Sequence, residues 1–102
     1  MADRGSPFAG IEEFEWDAGN TTKNVLGHDV SKTEAESIFF NAPVMVLDDD
    51  NHSAEETRFL IHGVTTAGRL LTAAFTIRGT RIRLSSARDM SRKERLAYEA
   101  AR

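Results

Sequence analysis

The side chains best suited to acid–base and phosphate chemistry are one histidine and several arginines. His28 follows Gly27, a residue typical of helix ends. With an ordinary pKa near ~6.5, His28 is the best general acid or base among the three histidines. Arg58 and Arg88 fall at the ends of predicted neighbouring strands, where two guanidinium groups can hold one phosphate. The alternative is a solvated arginine face that pairs with Asp48–Asp50.

Three further arginines surround a predicted hairpin turn at Gly79. They are Arg78, Arg81 and Arg83. Strand alternation puts Ile82, Leu84 and Ser86 on the core face and Arg81, Arg83 and Ser85 on the open face. Arg88 continues the parity of Ile82 and Ser86, but it lies at the strand end and can reach across the rim. The predicted open face is therefore cationic and suited to phosphate.

Charge is distributed unevenly along the 102 residues. Residues 1–57 hold three basic and thirteen acidic side chains, net −10, whereas residues 58–102 hold ten basic and three acidic ones, net +7. Nine of those ten cations are arginine, which favours an anionic ligand for the second half. The two halves can also neutralise each other across the fold.

Several functional classes are disfavoured by composition. The chain has no cysteine, which excludes disulfides and thiolate chemistry and fits a cytoplasmic protein. No apolar run approaches the ~20 residues of a membrane span, and no secretory signal is visible. The acidic loop Asp48–Ser53 lacks the glycine and glutamate of a calcium loop, so we expect a solvated turn, no metal and no cofactor.

Local patterns predict one α+β domain. Residues 1–11 are expected to form a flexible tail, and residues 12–102 the domain. The predicted order is an edge strand at 12–16, a weak helix through 22–26, a capped helix from Ser31, four strands within 44–87, and a final helix. That last helix begins at a second capping box formed by Ser91 and Glu94. This gives two N-terminal helices, one C-terminal helix and a mostly antiparallel sheet of about four to five strands.

Read in order, these residues resemble the BrnT toxins of bacterial type II toxin–antitoxin systems. The first half carries Phe14-Glu15-Trp16-Asp17, Lys23-Asn24, His28, Val30, Ile38-Phe39-Phe40-Asn41, Pro43 and Val46-Leu47. The second half carries Arg58, Gly63, Gly68-Arg69-Leu70-Leu71, Phe75-Thr76-Ile77-Arg78-Gly79, Ile82-Arg83, Ser86-Ala87-Arg88-Asp89-Met90-Ser91-Arg92-Lys93-Glu94-Arg95 and Tyr98. The resemblance covers roughly residues 12–99.

The resemblance implies a RelE-like fold and a ribonuclease that arrests growth. It implies active-site roles for Lys23, His28, Arg58 and Arg88, and makes RNA the ligand of the cationic face that includes Arg78, Arg81 and Arg83. It also implies a BrnA antitoxin with a ribbon-helix-helix part that represses the shared operon, so that the toxin reaches operator DNA only through the antitoxin.

The chain departs from the family pattern beside His28. Relatives usually have Lys-His-Gly-Val where this chain has Gly27-His28-Asp29-Val30. A cation is lost and an acid gained, which should weaken RNA binding, while a nearby Asp29 can raise the pKa of His28. Two readings therefore stand beside the nuclease: a binding module whose basic half docks an acidic antitoxin segment, and a catalytically silent relative kept for regulation.

Overall fold

A five-stranded sheet is the centre of the fold. The computed structural model describes residues 13–16, 29–48 and 57–101. The sheet order is β1-β5-β4-β3-β2. Its strands are β1 (Glu13–Trp16), β2 (Met45–Asp48), β3 (Phe59–Val64), β4 (Leu70–Arg78) and β5 (Arg81–Asp89).

Strands β3 to β5 form the predicted antiparallel meander, and β2 extends it by pairing antiparallel with β3. The β4–β5 connection is a two-residue loop, since Arg78 pairs with Arg81. Gly79 opens that loop with φ +62, a left-handed conformation that glycine adopts without steric cost. β1 is an edge strand, also as predicted, but it pairs with β5 in parallel, which makes the sheet mixed.

Two helices lie within the described residues, α1 (Lys32–Ser37) and α2 (Arg92–Ala101). α1 begins at the predicted capping box, in which the Ser31 hydroxyl and the Glu34 carboxylate each accept a backbone N–H. The predicted tail, the predicted helix through 22–26 and most of the acidic loop lie outside the described residues. None of the described helices is long and apolar enough to cross a membrane.

The main core lies between α1 and one face of the sheet. Its buried side chains include Ile38 and Phe39 after α1 and Ile61, Phe75 and Leu84 from the strands. β3 approaches the α1 end closely at Gly63, where an added Cβ would lie 2.9 Å from the Cβ and the carbonyl oxygen of Ile38. A side chain at this position therefore cannot fit without moving backbone.

A β-bulge corrects the predicted alternation of β5. Ala74 pairs with Ser86 but Phe75 pairs with Leu84, so the register shifts at Ser85. Beyond the bulge Ala87 joins the core and is fully buried. The predictions that Ser86 faces the core and that Arg88 shares the parity of Ile82 were therefore wrong, because the extra residue turns both onto the opposite face.

The helix α2 crosses one end of that opposite face. It starts just after β5 and ends its crossing near β2, where the Tyr98 hydroxyl donates to the Pro43 carbonyl at 2.6 Å. Tyr98 is buried, whereas Leu96 remains 66% exposed. The helix therefore packs through Tyr98 and its first turn, and it divides the face into a covered end and an end bearing the β4–β5 hairpin.

Candidate active site

Arg88 is held by a two-pronged ion pair with Glu94. Nη1 of Arg88 donates to Oε1 of Glu94 at 2.7 Å and Nη2 donates to Oε2 at 2.9 Å. Nη1 also donates to the Asp89 carbonyl at 3.1 Å. The Arg88 side chain is 42% exposed and that of Glu94 is 20% exposed. The bond to Glu94 raises the pKa of Arg88, so its charge is permanent at the rim of the covered end.

Glu94 belongs to the capping box of α2 as well as to the ion pair. Oε1 of Glu94 accepts the Ser91 backbone N–H at 2.8 Å, while the Glu94 N–H donates to the Ser91 hydroxyl at 3.1 Å. The hydrogen bonds from Arg88, ahead of those from Ser91, lower the pKa of Glu94 to about 2. One carboxylate thus fixes both the start of the helix and the candidate catalytic arginine.

A buried polar pair lies behind Glu94. Oγ1 of Thr72 is 3.2 Å from Oε1 of Glu94, and Nδ1 of His62 is 2.7 Å from Oγ1 of Thr72. His62 and Thr72 are 4% and 2% exposed. Burial lowers the pKa of His62 more than the charge of Glu94 raises it, so the imidazole is neutral at neutral pH. Four side chains therefore form one chain from the sheet to the rim.

The open end of the same face carries Arg58 and Arg83. Thr76 of β4 pairs with Arg83, and extending the β3–β4 register by one residue beyond Phe59 places Arg58 beside Thr76. Two strand spacings separate the backbones of these arginines, about 10 Å. Arg88 instead lies in the row of His62 and Thr72. Along the strand direction this row is four residues from Arg58, a separation of about 13 Å. The shorter arginine pair is thus Arg58 with Arg83. The prediction that Arg58 and Arg88 lie on neighbouring strands was wrong, because β4 lies between β3 and β5.

Two arginines flank the β4–β5 turn. Arg78 and Arg81 are both exposed. Arg81 contacts the acids of β1, with Nε 2.6 Å from Glu13 and Nη1 2.9 Å from Glu15. The bond to Glu15, followed by the charge of Glu13, raises the pKa of Arg81. The predicted cationic face therefore exists, but β1 balances part of its charge.

Asp29 and Arg69 contact each other near the end of β5, where Arg69 also binds Asp89. The Asp29 carbonyl accepts from Nη1 of Arg69 at 2.8 Å. Arg69 also binds Asp89 through Nε at 2.7 Å and Nη2 at 3.1 Å, and Glu34 at 3.3 Å. Its pKa is raised, first by the bond to Asp89. Asp29 has φ 55, which lies in the left-handed region that glycine adopts without strain.

The predicted site residues fall into three groups. Arg88 lies at the covered end; Arg58, Arg78, Arg81 and Arg83 lie toward the hairpin end; Lys23 and His28 are outside the described residues. Across the ranges described, no three acidic or histidine side chains cluster as a metal site. The sequence analysis missed Thr72 and His62 as neighbours of Arg88. Counting residues back from the Gly79 turn would have paired Thr72 with Ala87, and only the register shift in the structure pairs Thr72 with Arg88.

Comparison with protein-family models identifies the family to which this chain belongs. The family model described as "Ribonuclease toxin, BrnT, of type II toxin-antitoxin system" matches residues 16–94. The protein is thus a ribonuclease-class toxin of a type II toxin–antitoxin system. It belongs to the BrnT family, as the sequence resemblance predicted. No curated protein matches the chain.

A solved structure agrees on the fold. The crystal structure of the Brucella abortus ribonuclease toxin BrnT superposes with a TM-score of 0.60 at 14% identity, covering 80% of this chain and 100% of that one. At that identity the likeness concerns the fold alone. The α+β prediction is therefore confirmed with a mixed five-stranded sheet and a C-terminal helix.

Proposed function

We propose that this chain is a metal-independent endoribonuclease that arrests growth by RNA cleavage. The observation that carries the proposal is the oriented Arg88 on the same sheet face as Arg58 and Arg83. Membership of a ribonuclease toxin family supports RNA as the substrate. A RelE-like fold relationship is part of this proposal.

The proposed reaction uses the RNA 2′-hydroxyl as nucleophile. Its oxygen attacks the adjacent phosphorus, the bond from phosphorus to the 5′-oxygen breaks, and a 2′,3′-cyclic phosphate forms. A base takes the 2′-hydroxyl proton and an acid supplies a proton to the leaving 5′-oxygen. His28 is assigned one of these proton transfers, and Lys23 positions the backbone or lowers a neighbouring pKa.

The arginines stabilise the phosphorane. Negative charge builds on the non-bridging oxygens in the transition state, and fixed cations lower its energy because they need no reorganisation. Arg88 and Arg58 are assigned this role, with Arg78, Arg81 and Arg83 holding flanking phosphates. Because Arg58 lies in the row of Arg83 and not in that of Arg88, the two catalytic arginines are expected to contact different oxygens or neighbouring phosphates.

The test is cleavage of RNA by the purified chain in EDTA. The parent should yield cyclic phosphate ends, and Arg88→Ala and His28→Ala should each lower the rate by about 10²–10³-fold. Arg92→Ala removes an exposed cation from α2 outside the assigned site and serves as the matched control. If Arg88→Ala and His28→Ala both cleave RNA and arrest growth like the parent, the assignment is wrong.

A BrnA-like ribbon-helix-helix antitoxin is the proposed partner in the cytoplasm. It would neutralise the toxin, and the pair would repress their operon, with the antitoxin making the DNA contacts. Family membership in a type II system supports an antitoxin. The check is a neighbouring reading frame for such a protein and a co-purified complex that binds operator DNA when the toxin alone does not.

A binding module is the second candidate. The observation in its favour is that Arg81 and Arg88 already pair with acids of this chain, Glu15 and Glu94. Such pairs resemble the contacts that an acidic antitoxin segment would offer. Antitoxin binding without RNA cleavage in EDTA would select this function over the nuclease.

A further inference from the structure

We propose that Glu94, Thr72 and His62 are positioning residues that fix the direction in which Arg88 meets a phosphate. The inference rests on the proposed RNA chemistry for Arg88. It adds Glu94, which the sequence predicted only as part of a helix cap, and His62 and Thr72, which were not predicted as site residues. The carrying observation is the continuous hydrogen-bonded chain of His62, Thr72, Glu94 and Arg88.

The donors in this chain have one consistent direction. An ionised carboxylate only accepts hydrogen bonds, so the Thr72 hydroxyl donates to Glu94. That hydroxyl has a single hydrogen, so its oxygen must accept at the 2.7 Å contact with His62. A neutral His62 therefore carries its proton on Nδ1. The tautomer of the buried His62 imidazole thereby sets the rotation of the Thr72 hydroxyl, which in turn donates to one oxygen of the Glu94 carboxylate.

The chain determines which edge of Arg88 remains for a ligand. Glu94 occupies the end-on edge formed by Nη1 and Nη2, and the Asp89 carbonyl takes a further Nη1 hydrogen. A phosphate is therefore directed to the side-on edge that includes Nε. A long, half-exposed arginine otherwise samples many rotamers, and fixing it in advance lowers the cost of reaching the transition state.

A positioning role and a charge-neutralising role predict opposite effects. If Glu94 only neutralised Arg88, its removal would strengthen phosphate binding and speed cleavage. If Glu94 orients Arg88, its removal slows cleavage although the site becomes more positive. Glu94→Gln separates the two, because it keeps the side-chain size and removes the charge that both Arg88 and Thr72 contact.

The first experiment measures single-turnover and steady-state RNA cleavage by Glu94→Gln. We expect kcat to fall by about 10- to 100-fold with KM changed by less than about three-fold. Glu99→Gln removes one negative charge from the same helix away from Arg88 and should cleave like the parent. Unchanged or faster cleavage by Glu94→Gln overturns the inference.

A second variant leaves every charge in place. Thr72→Val keeps the shape of the buried side chain and removes the hydroxyl. Thr72→Ser keeps the hydroxyl, and with it the hydrogen bonds to His62 and Glu94, and removes only the methyl group. We expect a lower kcat for Thr72→Val and recovery of most of the rate for Thr72→Ser. Equal rates for Thr72→Val and the parent overturn the role of Thr72, even if the valine variant is less stable.

Nuclear magnetic resonance tests the same chain without activity. The imidazole nitrogen shifts of His62 should report an Nδ1–H tautomer, and the Arg88 Nε–H order parameter should fall in Thr72→Val. An Nε2–H tautomer or an unchanged order parameter contradicts the inference. If the parent protein does not cleave RNA, the proposed function fails on its own. The resonance measurements still decide whether the hydrogen bonds from His62 to Glu94 orient Arg88.

Discussion

The carbonyl oxygen of Asp29 accepts a 2.8 Å hydrogen bond from Nη1 of Arg69, forty positions later in the sequence. Asp29 has φ 55, so the backbone is turned into the left-handed region at the residue that presents this carbonyl. The position thus requires a conformation that disfavours most side chains and that glycine adopts freely.

Asp29→Gly should stabilise the protein. Glycine adopts the left-handed conformation without the penalty of about 1 kcal/mol that a side chain carries, although part of the gain is offset by a more flexible unfolded chain. Thermal unfolding should show a higher Tm. Asp29→Asn and Asp29→Ala are the controls. Both remove the charge, but only asparagine tolerates this φ. A rise in Tm for Asp29→Ala equal to that for Asp29→Gly would contradict the backbone explanation.

Arg69→Lys should destabilise the chain by about 1–2 kcal/mol. Lysine keeps the charge but cannot bind Asp89 with two parallel N–H groups while also reaching the Asp29 carbonyl and Glu34. Urea unfolding measures the change. Lys32→Arg, an exposed basic swap at the start of α1, should stay within about 0.5 kcal/mol. If Arg69→Lys lowers the free energy of unfolding no more than Lys32→Arg does, the positive charge alone suffices for stability at position 69.

Gly63→Ala should cost about 1–3 kcal/mol or prevent folding. The new methyl group would lie 2.9 Å from the Ile38 carbonyl oxygen, so backbone at the end of α1 or in β3 must shift. Equilibrium unfolding and the near-ultraviolet spectrum report the effect. Ala67→Ser, in the exposed turn between β3 and β4, should remain near the parent, and a similarly small effect at Gly63 would show that the two elements separate easily.

Stability should fall in acid partly through Glu94. Its pKa is lowered to about 2 in the folded chain, against about 4.5 when unfolded. A depressed carboxyl pKa stabilises the fold above the unfolded value, and that contribution is lost as pH drops from about 5 to about 2. The contribution at neutral pH is at most about 3 kcal/mol.

The measurement is the free energy of unfolding of the parent and Glu94→Gln between pH 2 and pH 7. The difference between the two proteins should be largest at pH 7 and shrink toward pH 2. Glu34 also has a lowered pKa, first through its bond to the Ser31 backbone, and it is present in both proteins. A difference that stays constant with pH would contradict the role assigned to the Arg88–Glu94 pair.

Local signals predicted the elements well because their causes are local. The capping boxes at Ser31 and Ser91 and the hairpin at Gly79 depend on residues close in sequence. The face of Arg88 was not predictable, because no Gly or Pro near Ser85 signals the bulge, which is visible only in the β4–β5 pairing. Likewise, Glu94 was recognised as a cap, while its bond to Arg88 requires knowing where α2 leaves the sheet.

The parallel pairing of β1 with β5 also constrains the order of folding. Glu13 pairs with Arg81 across most of the chain, whereas β3, β4 and β5 are linked by short turns. Local hairpins form sooner because they close smaller loops. During synthesis β1 leaves the ribosome first but must wait for β5 before it can pair. In a nascent chain, Glu13 and Glu15 therefore remain without their basic partner Arg81 until translation is nearly past the arginine face.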